Sequence, residues 1–206
     1  MQKLMLASSN TGKVAELRFL LKKYLDLSQI SLVTPRDWPT TLPEVEEDGT
    51  TFAENALLKA RALANATGLI ALADDSGLCV DALGGRPGLY SARWAGPNTT
   101  DAERNNFLLT EMRDVPVEKR QARFVCVVAL ASPDGQSATA EGICRGVILT
   151  EPVGDGGFGY DPLLLLPQFQ RTMAQLTAEE KNDVSHRAVA ISKIASRLPD
   201  FLRLTV

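Results

Sequence analysis

The chain has 206 residues, 45% of them hydrophobic and 23% charged, with 22 Lys and Arg against 25 Asp and Glu for a net charge of −3. This balance is that of an ordinary globular protein and excludes a disordered polyelectrolyte or a collagen-like repeat, because the 15 glycines and 11 prolines follow no period. A slightly acidic chain also argues against broad nucleic-acid binding, leaving room only for a local basic patch around one small anion.

A chain of this length buries roughly 70% of the surface that it exposes when unfolded, and one domain over residues 1–206 is expected. The N-terminal MQKLMLASSN lacks the apolar core of a secretory signal, and no apolar run approaches the roughly 20 residues that span a bilayer. A cytoplasmic protein with no membrane partner is the expectation. Cys79, Cys126 and Cys144 are odd in number and form no CxxC pair, so reduced, buried thiols are expected rather than a disulfide framework or a zinc site. The single histidine, His186, removes any multi-histidine metal centre, so a metal here needs oxygen ligands.

In chain order, residues 3–7 (KLMLA) predict a strand that ends at the loop 8–13 (SSNTGK), after which Val14, Leu17, Leu20 and Leu21 recur at helical spacing. A second strand is predicted at 30–33, followed by the proline-rich, acidic loop 35–49. Phe52, Ala56, Leu57, Ala60, Leu63 and Ala64 form the apolar stripe of a helix over 51–67, with Gly68 as its stop. Residues 69–73 (LIALA) predict a buried strand that ends at Asp74-Asp75-Ser76-Gly77, which places a carboxylate pair at a strand's C-terminal end. The glycine-rich stretch 84–96 leads to a helix over 101–113. Strands over 123–132 and 137–150 flank Pro133-Asp134-Gly135, a hairpin signal, so the sheet is mixed. A loop at 154–161 and a strand at 163–166 follow. Two helix starts close the chain, one with the capping-box pattern Thr177 to Glu180, the other with Ser185 as N-cap of a helix through Leu198.

Four places can carry chemistry. Residues 8–13 join a strand to a helix, where free backbone N–H groups and the positive dipole end attract phosphate oxygens, and Ser8, Asn10 and Lys13 add side-chain donors. The competing reading is a helix capped by Ser or Asn beside a solvated lysine. A Walker A loop is excluded, since Ala7 and Val14 stand where it needs Gly and Ser or Thr. Residues 44–48 (EVEED) are either a solvated charge run or part of a cation site. Asp74 and Asp75 together are electrostatically costly unless compensated, for which Mg2+ is the natural ion; an aspartate-capped turn is the alternative. In GDGGFGYD (154–161) the glycines admit close approach of a ligand while Phe158 or Tyr160 stacks on a purine, unless the aromatics are simply pinned in the core.

Six blocks in order, SSNTGK (8–13), EEDGTTFAENALLKA (46–60), ADDSGL (73–78), GGRPGLYSARWAG (84–96), GGFGYDP (156–162) and QLTAEEKNDVSHR (175–187), closely resemble the inosine/xanthosine triphosphate pyrophosphatase family. The resemblance implies an elongated mixed α/β fold with two lobes around a central nucleotide-binding cleft, and a homodimer. It implies Mg2+-dependent hydrolysis of non-standard purine nucleoside triphosphates, those of inosine, deoxyinosine and xanthosine, to the monophosphate and pyrophosphate.

Carried onto this chain, the resemblance makes Ser8, Ser9, Asn10, Thr11, Gly12 and Lys13 the phosphate loop, Asp75 the general base and a metal ligand, and Ser76 a substrate contact. Asp74 is supporting. Glu47 is the second metal ligand, with a shift by one residue to Glu46 left open. Phe158, Gly159, Tyr160 and Asp161 receive the base, and Lys181, His186 and Arg187 are donors suited to a keto oxygen at C6. A related pyrophosphatase preferring pyrimidine or modified bases, or a nucleotide sensor that does not hydrolyse, are the alternatives.

Overall fold

A computed structural model describes residues 1–202 as a mixed α/β fold built on one seven-stranded sheet. The elements are β1 (Gln2–Leu6), α1 (Thr11–Leu21), β2 (Ile30–Val33), α2 (Phe52–Thr67), β3 (Ile70–Val80), α3 (Asp101–Glu111), β4 (Gln121–Ala131), β5 (Ser137–Ile148), β6 (Leu164–Leu166), β7 (Arg171–Thr172), α4 (Ala178–Val184), α5 (His186–Ile194) and α6 (Leu198–Leu202). Strand order is β2-β1-β3-β4-β5-β6-β7. β1 is parallel to both β2 and β3, while β6 is antiparallel to β5 and β7. Parallel neighbours need crossover connections, which the helices α1 and α2 supply.

The chain forms two compact units. The first comprises Met1–Asp75, Cys126–Gly142 and the segment from His186 onward; the second comprises Ser76–Val125 and Ile143–Ser185. In the first unit, side chains alternate across the strands as the pleat requires. Leu4, Leu6, Leu72 and Val128 meet Leu17 and Leu20 of α1 and Ile191 and Ile194 of α5. Met5, Ala71, Ala73 and Ala129, from the opposite face, meet Ala56, Ala60 and Leu63 of α2. Each fully buried leucine, such as Leu72, contributes about 1.5–3 kcal/mol relative to exposure. The second unit has its own core of Leu78, Val80, Leu108, Phe124, Tyr160 and Met173.

Local chemistry sets the ends of the elements. Thr51 and Glu54 exchange a capping box at the start of α2, and Gly68, at φ +69°, ends it in the left-handed region that favours glycine. Thr177 and Glu180 cap α4 in the same way, as their spacing predicts. All three cysteines are buried and none is in a disulfide.

Two expectations need correction. β3 does not end before the aspartates but runs through Asp74-Asp75-Ser76-Gly77 to Val80, because the apolar Leu78 and Val80 extend the buried strand into the second unit's core. The carboxylates are thus mid-strand. The last helix is broken as well: α5 ends at Ile194, a 3-10 turn covers Ala195–Arg197, and α6 restarts at Leu198. Pro199 has no N–H to continue the α5 ladder.

Candidate active site

The phosphate-type loop is built by β1 and α1. The parallel register pairs Leu6 with Leu72, and Ala7 N–H donates to the Leu72 carbonyl at 2.8 Å, which brings residues 8–13 level with Asp74. Asn10 is the N-cap of α1, its Oδ1 accepting from Lys13 N–H at 3.0 Å, and Ser8 Oγ accepts from Asn10 N–H at 3.3 Å. Capping thus shapes the loop and leaves the first N–H groups of α1 at its tip. Ser9, Asn10 and Thr11 are exposed. Arg36 reaches the same loop and donates to the Ser9 carbonyl at 3.1 Å.

Adjacent residues of a strand face opposite ways, and this separates the two aspartates. Asp74 shares the Leu72 face, where Arg187 of α5 donates to its Oδ2 from Nη2 at 2.9 Å and from Nε at 3.3 Å, and Lys13 Nζ lies at 3.2 Å. Arg187 also pairs with Glu16 of α1. Burial alone pushes the Asp74 carboxyl up, but Lys13, Arg187 and Lys59 outweigh it and hold the group well below the usual carboxylate range. The Cys126 thiol, driven up to about 12 by burial and then by Asp74, stays a neutral donor 3.9 Å from Asp74 Oδ2.

Asp75 shares the Ala73 face and meets α2. Asn55 Nδ2 donates to its Oδ2 at 3.2 Å and Lys59 Nζ to its Oδ1 at 3.3 Å. Burial pushes the Asp75 carboxyl up; Lys59 and Lys13 pull against it, Glu47 adds to the rise, and the net direction is upward. For Lys59 burial works downward, but Asp75, Asp74 and Glu47 prevail and raise it, so the ammonium keeps its proton. Lys59 Nζ also lies 3.2 Å from Glu47 Oε1. Asn55 fastens the acidic loop by accepting from Gly49 N–H at 2.8 Å. Only glycine fits there, since a Cβ would stand 2.6 Å from Asn55 Oδ1 and 2.8 Å from Glu54 Cβ. Of the acidic run, Glu44, Glu46 and Asp48 are exposed, whereas Glu47 is partly buried and turned to Lys59.

Glu47 and Asp75 thus direct oxygens at a single point of positive charge. No group of three or more His, Cys, Asp or Glu among the described residues is placed to hold a metal by itself. Two carboxylates are what a magnesium ion takes when substrate phosphates and water complete its shell, so the donor set fits that ion.

The remaining candidates divide between the units. Ser76, next along β3, is partly buried and begins the second unit. In that unit Lys181 of α4 is buried, donates to Asp161 Oδ2 at 2.6 Å and stands over the Phe158 ring, 4.9 Å from its centroid. Phe158 N–H donates to the same Asp161 oxygen at 3.0 Å. Tyr160 is buried, its hydroxyl donating to the Ser91 carbonyl at 3.0 Å, and burial pushes its phenol up to about 12. Tyr160 is therefore the aromatic pinned into the core. His186 and Arg187 belong to the first unit, where Arg187 pairs with the carboxylates of Asp74 and Glu16. Lys59, Asn55 and Glu16 are the site residues that sequence reasoning missed. Asn55 and Lys59, four apart on α2, interrupt its apolar stripe on one face, a signal present in the sequence.

The family model described as the Ham1 family matches residues 4–197. A protein of Desulforamulus reducens named dITP/XTP pyrophosphatase is 52% identical over 191 residues, covering 93% of this chain and 92% of that one. A protein of the same name from Geobacter sulfurreducens is 50% identical over 198 residues, covering 96% and 97%. Among solved structures, a HAM1 protein from Coxiella burnetii matches with a TM-score of 0.85 at 42% identity, covering 97% of this chain and all of that one.

Proposed function

The chain belongs to the Ham1 family, and from that membership we propose that it hydrolyses the triphosphates of inosine, deoxyinosine and xanthosine to monophosphate and pyrophosphate. The observation that carries this reading is the Glu47–Lys59–Asp75 cluster beside the α1 N-terminal loop: paired carboxylate oxygens and phosphate-binding N–H groups in one unit.

Glu47 and Asp75 would hold Mg2+, which when bound supplies charge neutralisation for the triphosphate and makes an attacking water more acidic. Asp75 takes the proton of the water that attacks the α-phosphorus; its upward-shifted carboxyl is a stronger base than an exposed aspartate. The Lys13 side chain and the N–H groups of residues 11 and 12 receive the charge that builds on the phosphate oxygens, and positioning and electrostatics of this kind dominate phosphoryl transfer. Asp74, fixed by Arg187, holds Lys13 in place. Asn55 and Lys59 orient the two carboxylates. In the second unit the Phe158 ring is assigned to stacking on the base and Lys181 to its keto oxygen, which adenine lacks. The same reading carries a cytoplasmic homodimer, the dimer being checked by light scattering.

Incubating the purified chain with Mg2+ and a panel of nucleoside triphosphates, with products separated by chromatography, tests the proposal. Monophosphate and pyrophosphate from inosine and xanthosine triphosphates, with little from ATP or GTP, is the expected result. Equal use of ATP, or release of single phosphate, would overturn it. Preference for pyrimidine or modified nucleotides, or binding without turnover, would move the reading to those alternatives.

A further inference from the structure

The loop that carries Phe158 is held from α3 through the backbone of one residue, Gly159, whose N–H and carbonyl are both engaged. Gly159 N–H donates to Asp101 Oδ2 at 2.7 Å, and the Gly159 carbonyl accepts from Asn105 Nδ2 at 3.2 Å. Asp101 and Asn105 are one helical turn apart on α3, a helix fixed at its start by the Thr100–Glu103 capping box, and Arg104 holds the other oxygen of Asp101. Gly159 itself has φ +64°, which no β-branched or bulky residue adopts readily. The neighbouring N–H groups are also engaged: Phe158 N–H on Asp161 Oδ2, Asp161 N–H on the Phe158 carbonyl at 3.3 Å, Gly156 N–H on the Ala174 carbonyl at 3.2 Å. These bonds tie the loop into one frame, and the placement of its side chains depends on that frame.

Asn105 keeps its hold at a cost. It is 5% exposed, and its Oδ1 is buried without a hydrogen-bond partner among the described residues. An apolar side chain of similar volume would avoid that cost, so the amide is explained by what it does to Gly159 rather than by core stability.

We propose that Asp101 and Asn105 are positioning residues that set affinity for keto-purine triphosphates by locking the two peptides that flank the Gly159 Cα, and with them the Phe158 ring and its partner Lys181. The proposal rests on the preceding reading of Phe158 and Lys181 as the base-binding pair. Affinity and rate should then separate, because Asp75, Glu47 and Lys13 belong to the other unit.

The test is steady-state hydrolysis of inosine triphosphate followed by pyrophosphate release, with thermal melting of each protein. Asn105→Leu and Asp101→Ala should each raise KM about tenfold, the weight of one buried hydrogen bond expressed as affinity, with kcat changed by less than about twofold. Asp101→Asn retains an acceptor for Gly159 N–H and should restore most of the affinity. Gly159→Ala, whose Cβ meets nothing within 4 Å but must adopt the left-handed backbone, should reproduce the KM defect with α3 untouched. A merely structural role predicts the reverse pattern, a lower melting temperature with KM unchanged, and that result overturns the proposal. So does a fall in kcat at constant KM. Wild-type protein that releases no pyrophosphate overturns the functional reading and this proposal together, whereas active wild type with variants of unaltered KM overturns this proposal alone.

Discussion

Replacing Arg187 by methionine keeps much of the aliphatic stem but removes both guanidinium bonds to Asp74, at 2.9 and 3.3 Å, and the pair with Glu16. The side chains of Arg187 and Asp74 are 1% and 0% exposed, so water cannot replace what is lost. Breaking a buried pair costs about 3–5 kcal/mol, and Lys13 at 3.2 Å leaves Asp74 one cation, which favours about 3 kcal/mol. One kcal/mol moves the Tm of a chain this size by about 2–4 °C, so the variant should melt about 6–12 °C lower at pH 7. The pH dependence gives a second arm. In the wild type the Asp74 carboxyl is depressed, so its contribution is complete above the unfolded value of 3.8 and is lost as pH falls toward the folded one. Without Arg187 the burial of Asp74 is less opposed and its folded value rises, so the variant regains stability relative to the wild type as pH falls and the carboxyl takes a proton. Calorimetry at pH 7 and pH 4.5 should show a narrower gap at the lower pH. A drop of less than about 2 °C at pH 7, or a gap that stays constant, would refute the account of Arg187 as the counter-charge of Asp74.

Asp75→Asn should lower kcat by about 10²–10⁴-fold, the usual worth of a general base, with an unchanged melting temperature; near-normal turnover would remove Asp75 from that role. Chelation should abolish pyrophosphate release and added Mg2+ restore it, and Mg2+ should raise the Tm of the wild type but not of Glu47→Gln; an equal rise in both would place the ion elsewhere. Gly49→Ala pushes a Cβ to 2.6 Å from Asn55 Oδ1 and 2.8 Å from Glu54 Cβ, and should raise the Mg2+ concentration needed for half-maximal rate severalfold and lower the Tm by about 2–4 °C; an unchanged Mg2+ requirement on titration of the rate would refute the role given to this loop.

Much of this fold is legible because local signals and periodicity agree. The stripe of α2 ending at Gly68, the hairpin turn at Pro133-Asp134-Gly135 and the Thr177–Glu180 box all lie where the sequence puts them. The continuation of β3 is obscured by turn-forming residues, Asp-Asp-Ser-Gly, whose composition prevails over the apolar residues beyond them unless ion pairs and a long core are known in advance. Residue types at the site are also legible, but not their partners. Asp74 and Asp75 look equivalent in the sequence and are distinguished only by which face of the strand each takes, and the role of Lys59 depends on the acidic loop folding back over α2.

That distribution of the two aspartates also bears on how the chain finds its fold. A slip of β3 by one residue against β1 would turn Asp74 toward α2 and Asp75 toward α1 and α5, and would carry Ala71, Leu72 and Ala73 to the wrong sides with them. Arg187 and Glu16 on one side and Lys59 and Asn55 on the other would then face the wrong strand residues, leaving buried charges misaligned. The charged groups assigned to the reaction therefore also act as alignment marks during folding: a misregistered sheet is penalised by the same residues whose displacement would make it inactive.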